Sequence, residues 1–269
     1  MSADSTRELY LDLLKRSLRG DLYPDLDGTV WPSRLIFRKL VRALVPASVR
    51  MYRQIPEAEK QDGTGWPTAA KTLLGVKRMD NVQFCVEDVI ARGVPGDLIE
   101  TGVWRGGTVI LMRAILKAHQ VTDRKVWVAD SFAGLPKPDA RKFPADAGDV
   151  HYLLDELAIP LEEVQANFRL YGLLDDQVGF LKGWFKDTLP SAPIEKLAVA
   201  RLDGDMYQST IEALETLYPK LSVGGYLIVD DYVSAPRCKK AVEDFRKANQ
   251  INDPIQEIDL GGAFWQRRT

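Results

Sequence analysis

The chain has 269 residues, of which 45% are hydrophobic and 28% are charged, and its formal net charge at pH 7 is −2. This length and hydrophobic content suit one large α/β domain with a sizeable core. A charge so close to zero gives no electrostatic reason to expect a nucleic-acid partner. The two cysteines, Cys85 and Cys238, have no metal-ligand spacing, and no apolar run reaches the about 18 residues of a membrane span. We therefore expect a cytoplasmic protein without integral membrane association.

Residues 1–78 have helical and loop-like patterns without strand alternation. Within them, segment 32–53 is cationic and amphipathic, which leaves two interpretations open. It is either a membrane-surface or partner-binding helix, or a lid or dimer-contact helix with a solvated basic face, and such charge patterns favour the second. We expect residues 1–78 to form an N-terminal helical lid region on a core of residues 79–269, in one structural domain. We also expect a homo-oligomer, a dimer or higher.

From residue 79 onward, short apolar segments alternate with helical patterns. The predicted strands are GDLIETG, KVWVAD, QVGFLKG, KLAVARLD, GGYLIVDDY, PIQEID and GAFWQRR, and most are separated by amphipathic helices. Strands of this kind are typical of a parallel sheet covered by helices on both faces. Such a sheet binds its ligands beyond the carboxyl ends of the strands, at the topological switch point.

The first motif is LIETGVWRGGT at residues 98–108, which reads as a strand, a tight turn and a helix start. Gly102 permits the turn, and Gly106 permits a ligand to approach the helix N-terminus. The motif is not G-x-G-x-x-G, which weakens a dinucleotide interpretation. Glu100 would repel a pyrophosphate but attract an ammonium or sulfonium group. S-adenosylmethionine carries both groups and no phosphate.

Two further motifs follow the next strands. VWVADSF places Asp130 at a strand end, where a carboxylate accepts hydrogen bonds from ribose hydroxyls. That geometry serves NAD and S-adenosylmethionine alike. In FLKGWF, Gly183 allows close approach, and Trp184 could pack on an adenine ring or belong to the core. The 30-residue connection after Asp130 contains His151 and predicts a lid over substrate, since long loops in compact domains are usually functional.

Acidic residues follow two of the predicted strands in RLDGD (201–205) and VDDY (229–232). Because neighbouring strands lie about 5 Å apart, Asp203, Asp230 and Asp231 should converge at the rim of the sheet. Unneutralised, they would repel one another, and Mg²⁺ with its preference for oxygen ligands would resolve this repulsion. Asp205 lies two residues past Asp203, within reach of a substrate hydroxyl as general base. Arg201, inside an apolar strand, should pair with one of these acids.

Together, DLIETGVWRGG, VWVADSFAGLP, GWFKDTLP, RLDGDMYQS, LIVDDY and GAFWQRR resemble the macrocin-type sugar O-methyltransferases, which include mycinamicin and novobiocin enzymes. The resemblance runs from about residue 62 to the C-terminus. It implies a class I S-adenosylmethionine-dependent methyltransferase fold, Rossmann-like, whose seven-stranded sheet has an antiparallel last strand. The implied metal ligands are Asp203, Asp230 and Asp231, and the implied base is Asp205. The implied cofactor contacts are Glu100, Thr101, Gly102, Arg105, Asp130, Ser131 and Trp184.

The resulting hypothesis is a Mg²⁺-dependent transfer of a methyl group from S-adenosylmethionine to a deoxysugar hydroxyl of a glycosylated natural product. Three alternatives remain open. A catechol or phenol O-methyltransferase would use the same metal chemistry on a flat acceptor. An NAD-dependent sugar oxidoreductase or epimerase would share Asp130, although Glu100 argues against it. A binding protein that kept the fold would show no metal-dependent turnover.

Overall fold

The computed structural model describes residues 3–22, 55–65 and 67–269. Within these residues, the strands are β1 (Asp97–Thr101), β2 (Val126–Asp130), β3 (Val178–Lys182), β4 (Leu197–Leu202), β5 (Leu221–Val229), β6 (Gln256–Glu257) and β7 (Ala263–Gln266). The helices are α1 (Ala3–Leu18), α2 (Glu57–Asp62), α3 (Val76–Ala91), α4 (Gly107–Ala118), α5 (Leu161–Leu170), α6 (Phe185–Thr188), α7 (Tyr207–Leu217) and α8 (Pro236–Ala248). Segment 32–53 lies outside the described residues, so both interpretations of it stay predictions.

The seven strands form a single sheet in the order β3-β2-β1-β4-β5-β7-β6. Strands β1 to β5 pair in parallel, whereas β7 runs antiparallel to β5. The predicted seven-stranded sheet with an antiparallel last strand is therefore confirmed. The strand predicted in PIQEID is short, because only Gln256 and Glu257 pair with β7.

Two hydrophobic clusters cover the two faces of this sheet, as strand alternation requires. Leu98 of β1 faces the cluster that includes helices α1, α3, α4 and α5, while its neighbour Ile99 faces the cluster of α7 and α8. Every residue of β4 is buried, which is typical of a central strand in a parallel sheet. The chain thus forms three layers, helix–sheet–helix.

Helix α1 belongs to this core through one face. Leu11, Leu14 and Leu18 recur at helical spacing and are buried against the cluster of α4. The Nε of Arg7 also donates to the carbonyl of Ala118 at the end of α4, at 3.3 Å. The proposed boundary at residue 78 stays a prediction. Among the described residues, no helix is long and apolar enough to cross a bilayer.

The topological switch point lies between β1 and β4, because the chain builds outward from β1 in one direction and from β4 in the other. Three non-glycine residues with positive φ, Trp104, Phe132 and Asp205, lie in the turns that follow β1, β2 and β4. Such conformations cost free energy and concentrate at functional sites. The carboxyl edge is therefore where the site should be sought.

Candidate active site

A cavity of about 550 Å³, the main cavity, opens at the carboxyl edge of the sheet. Its size is that of a small-molecule site. Nine of the residues that the sequence predicted for the site line it: Gly102, Asp130, Ser131, Gly183, Trp184, Asp203, Asp205, Asp230 and Asp231. The turns after β1 to β5 thus all contribute to one wall.

Three of these residues, Asp203, Asp230 and Asp231, form an acid cluster. Leu202 at the end of β4 is in register with Val229 at the end of β5, so the following residues Asp203 and Asp230 lie side by side. One carboxylate oxygen from each of the three acids lies within 4.8 Å of the others. The structure brings together the acids that the sequence placed at neighbouring strand ends.

Arg201 lies beneath the acid cluster with only 1% of its surface exposed. Its guanidinium donates to the carboxylates of Glu100, Asp203 and Asp230, the second at 2.9 Å. Sequence reasoning expected one acidic partner for Arg201, and the structure shows three. A planar guanidinium with five N–H donors can serve several carboxylates at once. One cation therefore links the carboxyl ends of β1, β4 and β5.

A second arginine, Arg78 of α3, reaches the cluster from the helical layer. It donates to Asp230 at 2.7 Å and to Asp259 at 3.0 Å. Sequence reasoning missed Arg78, because an arginine in an amphipathic helix looks like any solvated surface residue. Asp230 consequently accepts from two guanidinium groups.

These pairings divide the acids by pKa. Burial raises the pKa of Asp203 and of Asp231 well above the usual range, and repulsion from neighbouring carboxylates adds to the effect. Burial acts on Asp230 in the same sense, but Arg201 and Arg78 outweigh it and lower its pKa. Burial also raises the pKa of Glu100 to about 7, against the opposing pull of Arg201. The two arginines therefore do not offset the cost of ionising Asp203 and Asp231 in this buried cluster.

The cluster fits a hard divalent cation. The Oδ2 of Asp231 is buried and has no hydrogen-bond partner among the described residues. An unpartnered buried carboxylate oxygen is costly, and carboxylate oxygens are the ligands that Mg²⁺ prefers. A dication at this point would satisfy the orphan oxygen and offset the repulsion that raises the pKa values of Asp203 and Asp231.

Asp205 lies at the edge of the cluster, in the turn between β4 and α7. Its φ of 57° holds the residue in the left-handed region. Burial raises the pKa of its carboxyl group, the nearby Asp230 and Asp149 act in the same sense, and His151 opposes them. A carboxylate with a raised pKa is a better proton acceptor near neutral pH than an ordinary surface aspartate.

Asp130 organises the two turns that flank it. Its carboxylate accepts from the backbone N–H of Val103 at 2.8 Å and from that of Phe132 at 2.7 Å. It also lines the main cavity, beside Gly183 and Trp184, whose side chain is 39% exposed. Asp130 therefore ties the turn after β1 to the turn after β2 and borders the space open to a ligand.

Gly102 lies where the turn after β1 meets the acid cluster. A Cβ built on it would lie 1.7 Å from the carbonyl oxygen of Asp203, and its φ is +83°. The two backbone segments can approach this closely only if the residue at position 102 is glycine. The glycine identified in the sequence for its turn thus also sets the distance between the predicted cofactor and metal residues.

We expect Gly102→Ala to lower the free energy of unfolding by about 1–3 kcal/mol or more, because the methyl group must displace the backbone of Asp203. Urea denaturation measures the loss. Gly172→Ala is the matched control, since Gly172 also has a positive φ, +65°, but nothing lies within 4 Å of its Cβ position. Equal losses in the two variants would show that φ strain alone accounts for the effect.

Four predicted site residues do not line the main cavity, namely Glu100, Thr101, Arg105 and Gly106. Glu100 and Thr101 are each 1% exposed, and Glu100 is held by Arg201. Arg105 donates to the carbonyls of Thr68 and Ala70, at 2.9 and 3.0 Å, and stacks on Trp104. These residues shape the turn after β1 and anchor the segment before α3 rather than border the open space.

The long connection after β2 is fastened at several points. The buried Asp146 accepts from the backbone N–H groups of Tyr207 and Gln208 at the start of α7, at 2.8 and 2.9 Å. Arg237 of α8 donates to the carbonyl of Ala145 at 3.1 Å. His151, in the same connection, lines the main cavity, and its Nδ1 lies 2.9 Å from Asp149. The predicted lid segment thus forms a wall of the cavity.

The model of one protein family, Macrocin-O-methyltransferase (TylF), matches residues 7–267 of the chain. A tetracenomycin 4'-O-methyltransferase from Streptomyces olivaceus, named for a 2,3-dimethoxy-α-L-rhamnosyl acceptor, is 50% identical over 98% of this chain and 94% of its own length. Demethyldecarbamoylnovobiocin O-methyltransferase from Streptomyces niveus is 49% identical over 98% of this chain and 95% of its own length. Mycinamicin III 3''-O-methyltransferase from Micromonospora griseorubida is 46% identical over 99% of both chains.

Among solved structures, that of the O-methyltransferase NovP is similar with a TM-score of 0.86 and 49% identity, covering 98% of this chain and all of that one. The calicheamicin methyltransferase CalS11 shares the fold at 18% identity, with a TM-score of 0.56 over 88% of this chain and 95% of its own.

Proposed function

The chain belongs to the macrocin O-methyltransferase family, and from this premise we propose that it methylates a deoxysugar hydroxyl of a glycosylated natural product. S-adenosylmethionine is the proposed methyl donor, Mg²⁺ the proposed metal, and Asp205 the proposed base. The family and the class I methyltransferase fold predicted from the sequence are confirmed. O-methyltransferase activity follows from the family, and the acceptor is suggested by the names of its relatives.

One observation carries the proposal, and it is the position of Asp205 relative to the acid cluster. Asp205 borders the same cavity as Asp203, Asp230 and Asp231, and burial together with neighbouring acids raises its pKa. A base beside a potential cation site can take a proton from a hydroxyl that is oriented there. A binding protein that kept the fold could hold a cation at these carboxylates but would not transfer a methyl group, so turnover separates the two hypotheses.

The cofactor would bind along the switch point, between the turns after β1, β2 and β3. Asp130 offers carboxylate oxygens to ribose hydroxyls, and Trp184 offers an aromatic face to the adenine. Gly102 and Gly183 leave room for the ligand to approach the backbone, and Ser131 borders the same space. Asp130, Trp184 and the two glycines would position the cofactor beside the acid cluster, and such alignment is a large part of catalysis.

Asp203, Asp230 and Asp231 would hold Mg²⁺, which when bound lowers the pKa of a sugar hydroxyl and orients it for attack. Arg201 and Arg78 hold Asp203 and Asp230 in place through the hydrogen bonds described above. Asp205 would accept the proton that the sugar hydroxyl loses when the hydroxyl oxygen receives the methyl group. The carboxylate would become the neutral acid, and the donor would be released as its neutral thioether.

Mass spectrometry tests the reaction directly. The enzyme is incubated with S-adenosylmethionine, Mg²⁺ and a panel of glycosides, with catechol included as the rival acceptor. We expect a mass increase of one methylene group on a glycoside, located on the sugar by fragmentation. Methylation of catechol but of no glycoside would support the phenolic alternative and contradict the proposed acceptor.

Thermal unfolding tests the metal site without reference to activity. We expect Mg²⁺ to raise the melting temperature, because a ligand that binds only the folded state stabilises it. The shift should grow from pH 6 to pH 8, since the raised pKa values of Asp203 and Asp231 let protons compete with the cation at low pH.

Asp231→Asn should abolish the Mg²⁺-induced shift, and Asp123→Asn, at an exposed position, should leave it intact. Full methyl transfer in the presence of EDTA would contradict the assignment of the cluster as a metal site.

A further inference from the structure

A second cavity, of about 690 Å³, adjoins the main cavity. The two share Lys142, Phe143, Lys186 and Glu212 as lining residues. The second cavity contains none of the acids of the cluster and none of the residues predicted to bind cofactor. It therefore extends the space available to a ligand away from the proposed point of methyl transfer.

Helix α7 separates the two spaces. Gln208 lines the main cavity, Glu212, one helical turn later, lines both cavities, and Tyr207, Ile211 and Glu215 line the second. Tyr207 is two residues after Asp205, the proposed base. A ligand whose reacting hydroxyl lies at Asp205 can thus extend past the start of α7 into the second cavity.

Two aromatic rings line the second cavity. The centroids of Phe143 and Tyr207 lie 6.2 Å apart with an interplanar angle of 44°. The hydroxyl of Tyr207 donates to Asp244 at 3.0 Å, which holds the outer end of the side chain in place. Both rings are only partly buried, although aromatic rings of this size are usually covered.

The wall that carries Phe143 is held in place before any ligand binds. Asp146, three residues later, is fully buried and accepts from the first N–H groups of α7. A carboxylate at a helix N-terminus is favourable both for hydrogen bonding and for the helix dipole. Arg237 fastens the same wall to α8 through the carbonyls of Ala145 and Ala147. Preorganisation of this kind lowers the entropic cost of binding.

Three lysines line the second cavity. The ammonium group of Lys142 lies 5.0 Å from the ring centroid of Phe143, and that of Lys240 lies 6.0 Å from the centroid of Tyr207. Lys186 lines both cavities and is exposed. Ammonium groups beside aromatic faces favour a ligand with its own electron-rich ring and with oxygen acceptors at its edge.

Resting on the proposed function, we propose that the second cavity binds the aglycone of the acceptor, and that this aglycone is a planar, oxygen-bearing aromatic system. The sugar occupies the main cavity at Asp205, the glycosidic bond passes Phe143, and the flat ring system lies against Phe143 and Tyr207. The lysines donate to its carbonyl or ether oxygens. A flexible aliphatic or macrocyclic aglycone would gain little from either feature.

Three α-L-rhamnosides that differ only in the aglycone test this assignment: methyl, n-hexyl and 4-methylumbelliferyl. Their dissociation constants are measured by calorimetry on the full chain with S-adenosylhomocysteine and Mg²⁺, so no turnover is required. We expect the planar coumarin glycoside to bind about ten-fold more tightly than the hexyl glycoside, from ring stacking.

In Phe143→Leu and Tyr207→Leu, which replace the flat ring by an aliphatic side chain, the ratio of the hexyl to the coumarin dissociation constant should fall to about three or less. Lys186→Ala, at an exposed position, should also lower it. Phe84→Leu is the matched control, because Phe84 is 51% exposed but remote from both cavities. The melting temperature of each variant is measured in parallel.

Equal affinity for the coumarin and hexyl glycosides would overturn the assignment, as would a ratio that is the same in the wild type and in all three cavity variants. A failure of methyl transfer with the binding preference intact would instead contradict the proposed reaction and leave the aglycone site standing. The two hypotheses therefore fail in different measurements.

Discussion

Asp205→Asn should lower kcat for methyl transfer by about 10²–10⁴-fold, the range in which general bases contribute. The amide keeps the shape of the side chain but cannot accept the proton of the attacking hydroxyl. Because Asp205 lies at the edge of the acid cluster and is not one of the three acids proposed to bind Mg²⁺, binding of S-adenosylmethionine and the Mg²⁺-induced rise in melting temperature should both persist. Single-turnover kinetics, calorimetry and thermal unfolding measure the three quantities.

Asp123→Asn, an exposed aspartate far from the cavity, is the control for this series and should retain full activity. An Asp205→Asn enzyme with undiminished kcat would exclude Asp205 as the base. A variant that lost cofactor affinity as well would indicate that Asp205 holds the site together rather than accepts a proton.

Arg201→Met should lower the free energy of unfolding by about 3–5 kcal/mol, the usual cost of removing one partner from a buried ion pair. The substitution leaves three carboxylates, those of Glu100, Asp203 and Asp230, without their shared cation. Denaturation by urea gives the free energy directly. Part of the loss should be recovered when Mg²⁺ is added, since the dication neutralises some of the same charge.

The loss in Arg201→Met should depend on pH in a defined direction. Burial already raises the pKa values of Glu100 and Asp203 in the folded state. A carboxyl whose folded pKa is raised favours folding below its unfolded pKa, and this advantage disappears as the pH rises through the folded value. In the wild type the window for Glu100 runs from its ordinary 4.5 to about 7, and removal of Arg201, which holds this pKa down, extends the window to higher pH. Asp230, whose pKa is lowered, is already ionised at pH 4.5, so the destabilisation should be present at that pH and larger at pH 8.

Arg113→Met provides the comparison, because Arg113 is equally buried but pairs with one acid, Asp175, which is 37% exposed and can be hydrated. We expect its loss to be smaller than that of Arg201→Met and less dependent on pH. If the two variants were equally destabilised, Arg201 would act as an ordinary ion pair and not as the link between three strands.

The fold and the positions of the acids were predictable because both follow from local patterns. Alternating apolar strands and amphipathic helices specify a parallel sheet, and the residues after each strand meet at one edge. Asp203, Asp230 and Asp231 could be placed together without coordinates, since neighbouring strand ends are close by geometry. The same reasoning placed Asp130 and Gly102 in the turns that border the main cavity.

Local residue patterns were thus sufficient to predict the architecture, the edge of the sheet that carries the site and the acids that converge there. The cations that hold those acids became clear only from the folded chain: Arg201 donates to three carboxylates, and Arg78 reaches Asp230 from a helix 152 residues away in the sequence. It also decided that Asp146 caps a helix 61 residues later and so builds the wall of a second cavity. The physical reason is that strand ends are local consequences of backbone pattern, whereas the partner of a charged side chain depends on how distant elements pack together.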